Sequence, residues 1–457
     1  MLAFLYRLGW LAARPLAAPL SLVGGKFGRA IRGRRAAAAH LAGWAARARS
    51  ASQPLVWFHA ASVGEGRQAE PVLRRLRAAR PRWQIVYTFS SPSAERFAAS
   101  LPADAAGYAP FDAAGDVRGA LAPLSPTVLV FSATDIWPEL VRQAASRGVA
   151  LAVVSATLSP TSSRRGTVAR RILGPAYALL DWVGAVDDAD GRALERLGVR
   201  RDRITVTGDT RHDAALARLA AASPEAPHLR ALDEARHDGV PIVLAGSTWP
   251  SDERVLLPAV ADALAQGARL RLVVAPHEPT PAHLTALERN LRRHLGADFN
   301  VVRLSLLLAS HDPEKPATRN SASRNQDADV VVVDQVGILA ELYRAASVAY
   351  VGGAFHKAGL HSVIEPAAAG IPVLFGPRWR GSRDARLLLD ARGARSVRDR
   401  GELARALTDW LTNDAARAAA AAAARAVVER GQGAADRSVQ LVIELVEQRW
   451  LHPAPQP

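Results

Sequence analysis

Three stretches carry side chains whose type and spacing suit chemistry at the mouth of a parallel sheet. The first is FHAASVGEGRQAEPVL, where an apolar run ends near His59 and a helical pattern begins near Gly64. Ser62 suits a helix N-cap, and Glu65 falls in the first turn, where the helix dipole favours a carboxylate. A glutamate there either caps the helix or takes a proton from an acceptor hydroxyl as a general base, and spacing leaves both readings open. The second is AGSTWPSDER, in which Gly246, Ser247 and Thr248 join a strand-like run to a helix with Pro250 in its first turn. Such a turn offers backbone N–H groups and two hydroxyls to an anion. The third is VAYVGGAFHKAGLHSVIEPAAAGIPVLFGP. Here Gly352 and Gly353 let the backbone approach a phosphate, His356, Lys357 and His361 bring positive charge, and Glu365 follows on a helix.

Composition removes other chemistries. With no cysteine, thiolate nucleophiles, disulfides, Cys-ligated zinc and iron–sulfur clusters are excluded. The 12 histidines are dispersed and form no HExxH pair, and no G-x-S-x-G elbow supports a serine nucleophile. Asp187, Asp188 and Asp190 have the spacing of a Mg²⁺–nucleotide site but read more simply as the acidic first turn of a helix. The formal charge of +15 favours anionic partners. The basic residues are spread without interleaved aromatics, which points to discrete anion sites and away from nucleic acid.

From residue 54 onward, short β-branched runs alternate with helical patterns, the pattern of parallel α/β sheets. Strands are expected at 55–60, 84–88, 127–131, 150–154, 182–185 and 204–206, then at 241–245, 270–275, 300–304, 330–333, 347–351 and 372–375. The expected organisation is a basic, apolar segment over 1–50, one doubly wound domain over 51–213, a linker over 214–239, a second doubly wound domain over 240–435, and a helix and tail over 436–457. Residues 305–329 read as a polar surface insertion. In 1–25, Arg7, Arg14, Pro15 and Pro19 break the apolar run short of the ~20 residues needed to span a bilayer. Charge inside and after that run disfavours a signal peptide, leaving an interfacial helix facing acidic lipid, or a helix packed on its own domain.

The motifs together resemble one family, the 3-deoxy-D-manno-octulosonic acid (Kdo) transferases of the lipopolysaccharide inner core. The resemblance runs in order over residues 1–435: HAASVGE, ATDIWPEL, SATLS, GDTRHD, GST, APHEP, DQVGILAELY and the GGAFHKAGLHSVIEPAAAGIPVLFGP stretch. It implies a GT-B enzyme, two Rossmann-like domains facing a cleft, with a lipid A precursor on the N-terminal side and CMP-Kdo on the C-terminal side. It also implies inversion, no metal, no cofactor, and work at the cytoplasmic face of the inner membrane against anionic lipid. Carried over, Glu65 is the general base, with Asp135 the remaining carboxylate before Trp-Pro and Ser62 and Gly64 on the acceptor side. Ser247 and Thr248 contact donor phosphate or carboxylate, Gly352 and Gly353 admit the nucleotide, and Glu365 holds its ribose hydroxyls. His277, His361 and Arg211 complete the donor side. The chain departs from the usual pattern at Ala133, Asp135, Ser155, Thr157, Asp209, Arg211, His277, Glu278 and Ser362. Two other readings keep the fold: a transferase with a different sugar nucleotide, and a catalytically silent membrane-surface protein.

Overall fold

The structure is a computed structural model that describes residues 2–159, 162–234, 239–310 and 328–452. Of the expected linker and insertion, residues 235–238 and 311–327 lie outside the described residues, as do 453–457 of the tail. The chain forms two compact units, Met1–Ala214 with Gly431–Pro457, and Ala215–Arg430.

Unit 1 is built on seven strands: β1 (Leu55–His59), β2 (Gln84–Phe89), β3 (Ala105–Tyr108), β4 (Val128–Ser132), β5 (Ala150–Ala156), β6 (Trp182–Ala185) and β7 (Ile204–Val206). They pair in parallel in the order β3-β2-β1-β4-β5-β6-β7. Unit 2 carries β8 (Ile242–Thr248), β9 (Arg271–Pro276), β10 (Val301–Arg303), β11 (Val330–Val332), β12 (Val348–Val351), β13 (Val373–Phe375) and β14 (Ala394–Ser396). Their parallel order is β10-β11-β9-β8-β12-β13-β14. Central strands such as β1 (LVWFH), β4 (VLVFS) and β12 (VAYV) are buried along their whole length, because helices cover both sheet faces. The strand order reverses between β1 and β4 in the first sheet and between β8 and β12 in the second, where β10 and β11 are also interchanged at one edge. A crevice at the carboxyl ends of two such strands is where doubly wound sheets receive ligands.

Four features differ from the sequence expectation. The linker is not a bare connection: Pro227–Glu234 is a helix whose Leu229 and Leu232 pack with Ile242, Leu244 and Val273 in the unit 2 core. The second domain ends at Arg430, and helix Ala434–Leu451 seats Val439, Val442, Ile443 and Val446 in the unit 1 core. Strands β3 (AAGY) and β14 (ARS) were not expected, since neither contains a β-branched residue. The start of the expected insertion is the helix Leu304–Ser310, whose Leu304 and Leu307 are core residues.

The amino-terminal segment is helical over Leu2–Ala13 and Gly25–Ala48. Leu41, Trp44 and Ala45 anchor the second helix in the unit 1 core. Upstream, Leu11, Leu16, Leu22 and Phe27 are 70%, 58%, 85% and 56% exposed. No helix among the described residues is long and apolar enough to cross a membrane.

Candidate functional site

In unit 1 the helix Val63–Ala79 begins where β1 ends, through a reciprocal capping box. Ser62 Oγ accepts the Glu65 N–H at 3.4 Å, and Ser62 N–H donates to Glu65 Oε2 at 3.0 Å. Ser132, the last residue of β4, donates its hydroxyl to the Glu65 carbonyl at 2.7 Å, so both strands at the order reversal hold this residue. Burial raises the Glu65 pKa above the ordinary carboxyl value, the Asp135 carboxylate raises it further, and the Ser62 hydrogen bonds oppose both. A half-buried carboxylate whose pKa is raised, at the mouth of a sheet, is a stronger proton acceptor than a solvated one.

Asp135 lies in the loop between β4 and the helix Pro138–Ala145. It pairs with Arg164 at 2.6 Å, and the Trp137 indole N–H reaches its other oxygen at 3.4 Å. Trp137 also meets His59 edge-on, with ring centroids 4.9 Å apart. His59, 1% exposed, sits with Nδ1 at 3.0 Å from Thr88 Oγ1, while its buried Nε2 has no hydrogen-bond partner among the described residues. Burial pushes its pKa down to about 4, so the ring is neutral beside Asp135. Arg34 lies over the rings of Trp137 and Phe111 at 4.4 and 4.7 Å, and burial lowers its pKa to about 10. Ser62, Gly64, Glu65 and Asp135 are therefore brought to one end of the sheet. His59, Arg34, Arg164 and Trp137 join them without having been singled out from sequence.

The acids at 187–190 serve the helix there. Asp187 Oδ1 accepts the Asp190 N–H at 2.8 Å as its N-cap, and Asp190 accepts Leu158 N–H at 2.8 Å. Among the described residues no three His, Cys, Asp or Glu side chains gather as metal ligands. Arg211 follows β7 and is forked onto Asp209, with nitrogen–oxygen distances of 3.0 and 2.5 Å, so the two residues that depart from the family pattern here are partners.

In unit 2, β8 ends in a bulge between Gly246 and Thr248, with Ser247 at φ 54°. Ala133 and Ser155, beside β4 and inside β5, likewise have φ of 59° and 49°. Left-handed non-glycine residues at three strand ends of the two sheets are local strain of the kind that collects at ligand sites. Thr248 differs from the expectation: it is 0% exposed, and its hydroxyl is turned inward to Glu253 Oε1 at 2.9 Å, which His283 Nε2 also meets at 2.9 Å. The half-buried Ser247 is the residue of the pair that reaches the surface.

The glycines also do a different job from the one expected. Gly352 N–H donates to Gly246 carbonyl at 2.9 Å and Gly353 N–H to Asp252 Oδ2 at 2.9 Å, so both donors are taken by the protein. A Cβ at Gly352 would stand 2.3 Å from the Ser247 carbonyl oxygen, and one at Gly353, whose φ is +93°, 2.2 Å from the Gly359 oxygen. Glycine is needed here for β8, β12 and the following loop to close on one another. Gly352→Ala is expected to cost about 1–3 kcal/mol in denaturant melts, since only backbone can yield. Gly381→Ala, with nothing within 4 Å of the new Cβ, should stay within about 0.5 kcal/mol.

Trp249 stacks on His356 and His277 at 4.2 and 4.8 Å, and His277 stacks on His361 at 4.3 Å. The Trp249 indole N–H donates to His361 Nε2 at 2.9 Å. Burial, then the neighbouring His277, lowers the His361 pKa to about 4, so it is a neutral imidazole where a positive charge was expected. Glu365 opens the helix Ile364–Ala368, takes a short hydrogen bond from the Ser362 hydroxyl and lies 3.8 Å from Arg218. Ser247, His277, Gly352, Gly353 and His361 thus gather at the ends of β8, β9 and β12 together with the expected His356, with Asp252 and Trp249 as the members sequence reasoning passed over.

A profile of the family described as 3-Deoxy-D-manno-octulosonic-acid transferase (kdotransferase) matches residues 35–214. The 3-deoxy-D-manno-octulosonic acid transferase of Bordetella pertussis is 31% identical over 394 residues, covering 84% of this chain and 86% of that protein. The protein of the same name from Chlamydophila psittaci is 28% identical over 375 residues, 80% of this chain and 79% of that one. Among solved structures, UDP-GlcNAc 2-epimerase from Neisseria meningitidis bound to UDP-GlcNAc superposes with a TM-score of 0.55, covering 87% of this chain and 100% of that one. At 13% identity this is a likeness of fold.

Proposed function

The chain belongs to the 3-deoxy-D-manno-octulosonic acid transferase family and is a glycosyltransferase, and from that premise we propose that it moves Kdo from CMP-Kdo to a hydroxyl of a lipid A precursor. The observation that carries this reading is Glu65, a carboxylate held at the order reversal of the first sheet with its pKa raised by burial and by Asp135.

In the proposed reaction Glu65 takes the proton of the acceptor hydroxyl. The freed oxygen attacks the anomeric carbon of Kdo from the face opposite the nucleotide, the bond from that carbon to the phosphate oxygen breaks, and CMP leaves with the electron pair. Configuration inverts because there is one displacement. Asp135, held by Arg164, keeps Glu65 basic and orients the acceptor. Ser247 and His277 contact the donor's phosphate or carboxylate, and the neutral His361, accepting from Trp249, presents Nδ1–H to it. Glu365 accepts from the ribose hydroxyls. The closed Gly352–Gly353 turn shapes the nucleotide seat, Thr248 supports it from within, and Arg211, steadied by Asp209, offsets charge on the departing phosphate. No step uses a metal. The exposed leucines and neighbouring arginines of the amino-terminal segment support peripheral contact with anionic lipid at the cytoplasmic face of the inner membrane.

The test is incubation of the purified protein with a tetraacylated lipid A precursor and CMP-Kdo formed in place, with and without EDTA, followed by mass spectrometry of the lipid. The lipid is expected to gain one or more Kdo residues, equally in both arms. No gain from folded protein would overturn the reading, and a gain abolished by EDTA would overturn its metal independence.

A further inference from the structure

The helix Leu2–Ala13 uses its faces differently. Leu8 and Leu11 are 48% and 70% exposed, whereas Tyr6 and Arg7 reach inward to two carboxylates, Asp112 and Glu139, each 2% exposed. Tyr6 Oη donates to Asp112 Oδ2 at 2.7 Å, and Arg7 grips Glu139 with Nε at 2.9 Å and a second nitrogen at 3.3 Å. Asp112 in turn accepts the N–H groups of Glu139 and Leu140 at 2.9 and 2.8 Å. It thereby caps the helix Pro138–Ala145, whose own N-cap residue, Trp137, supplies no side-chain cap. Immediately upstream are Trp137, packed on His59, and Asp135. Arg34, from the helix Gly25–Ala48, lies over the Trp137 ring and donates to the Pro110 carbonyl at 3.1 Å.

We propose that the amino-terminal helix is a positioning element of the acceptor side. Tyr6 and Arg7 fix the first turn of Pro138–Ala145, and through it the Asp135–Trp137 loop beside Glu65. A capping carboxylate with a second partner is confined to one rotamer, and a buried carboxylate gripped by a fork loses more than one hydrogen bond when the fork goes. Glu139 keeps Arg142 and Gln143 as partners, so removing Arg7 loosens this turn without stripping the buried charge of every neighbour. The same helix carries the exposed leucines, which ties whatever seats that surface to the geometry of the loop. The catalytic part of this inference rests on the transferase reading, while the mechanical hold does not.

The experiment compares the full-length Tyr6→Phe/Arg7→Gln double variant, Arg7→Lys and the unaltered protein in two ways. Amide hydrogen exchange is followed at Glu139 and Leu140, and steady-state transfer is measured with acceptor dispersed in detergent, so that no bilayer seat is required. In the double variant those two amides should exchange about tenfold faster, with other unit 1 helices unchanged. Its kcat should fall about tenfold while the acceptor KM changes less, below the ~10²-fold cost of a 1 Å misplacement at a reacting centre. Arg7→Lys should recover part of the loss. Unchanged exchange at Glu139 and Leu140, or exchange accelerated evenly across the unit, overturns the hold. Faster exchange with unaltered kcat overturns the positioning role. If the unaltered protein transfers nothing, it is the transferase reading that has failed, and the exchange comparison still decides whether Tyr6 and Arg7 hold the turn.

Discussion

Glu65→Gln should lose about 10²–10⁴-fold in kcat, the usual worth of a positioned general base, while melting no lower than the unaltered protein. The two halves of this expectation come from the same geometry. Glutamine serves the capping box as glutamate does, because its amide oxygen can take the Ser62 N–H that Oε2 now takes at 3.0 Å. What it lacks is a basic oxygen. The pH dependence separates the roles further. Folding raises the Glu65 pKa, chiefly through burial and next through Asp135, so the native state binds that proton more tightly than the unfolded chain. Its contribution to stability is complete below the ordinary carboxyl pKa of about 4.3 and is lost as pH rises through the folded value. Above that value the native protein holds a carboxylate that its surroundings oppose, and the amide removes the opposition. The variant should therefore gain stability relative to the unaltered enzyme as pH rises above the ordinary carboxyl range. Over the same range kcat/KM of the unaltered enzyme should climb on an acid limb set by Glu65. Thermal melts at several pH values with parallel initial rates check both. A glutamine variant with undiminished turnover would remove Glu65 as the base and leave it as a cap.

What was legible beforehand follows from what each residue's neighbours in sequence disclose. The strands that carry the site, 55–59, 242–248 and 348–351, are runs buried on both faces, so their apolar content marks them and their ends locate Glu65, Ser247 and Gly352. Strands β3 and β14 lack that content, and pairing with a neighbour already in place defines them instead. Side-chain roles decided by distant contacts were not legible. In a chain with 58 basic residues nothing local marks Arg34 as the one held between two rings, or Arg164 as the partner of Asp135. The neutrality of His59 and His361 arises from burial, which a sequence motif does not display. Thr248 was misplaced because its hydroxyl has a buried acceptor five residues on, in Glu253, a pairing indistinguishable in sequence from a helix-start acid facing solvent.

Asp252 shows the same limit at its strongest, and removing it should damage unit 2 more than losing any single ligand-facing residue. In sequence it is one more acid in a first helical turn. In the structure it is 0% exposed, and its two oxygens accept the N–H groups of Trp249 at 2.9 Å, Gly353 at 2.9 Å and Phe355 at 3.2 Å, and the Tyr350 hydroxyl at 3.3 Å. One carboxylate thus joins the end of β12, the glycine turn and the start of the helix Pro250–Ala265. Asp252→Ala strands four donors in a dry interior, each costing about 1–3 kcal/mol when left unmade, so a loss of at least ~3 kcal/mol is expected in denaturant melts. Asp252→Asn keeps one acceptor oxygen but turns an N–H₂ toward donors it cannot bind, so the fold should survive with the 352–361 loop displaced. Because that loop carries His356, Lys357 and His361, the asparagine variant should bind CMP about tenfold or more weakly by calorimetry, a loss of ~1.4 kcal/mol. Lys357→Ala, at an exposed side chain, tests the converse by weakening CMP without moving the melt. If Asp252→Asn bound CMP as tightly as the unaltered protein, the turn that Asp252 holds would lie outside the nucleotide seat. The donor would then have to be sought elsewhere along the carboxyl edge of the second sheet.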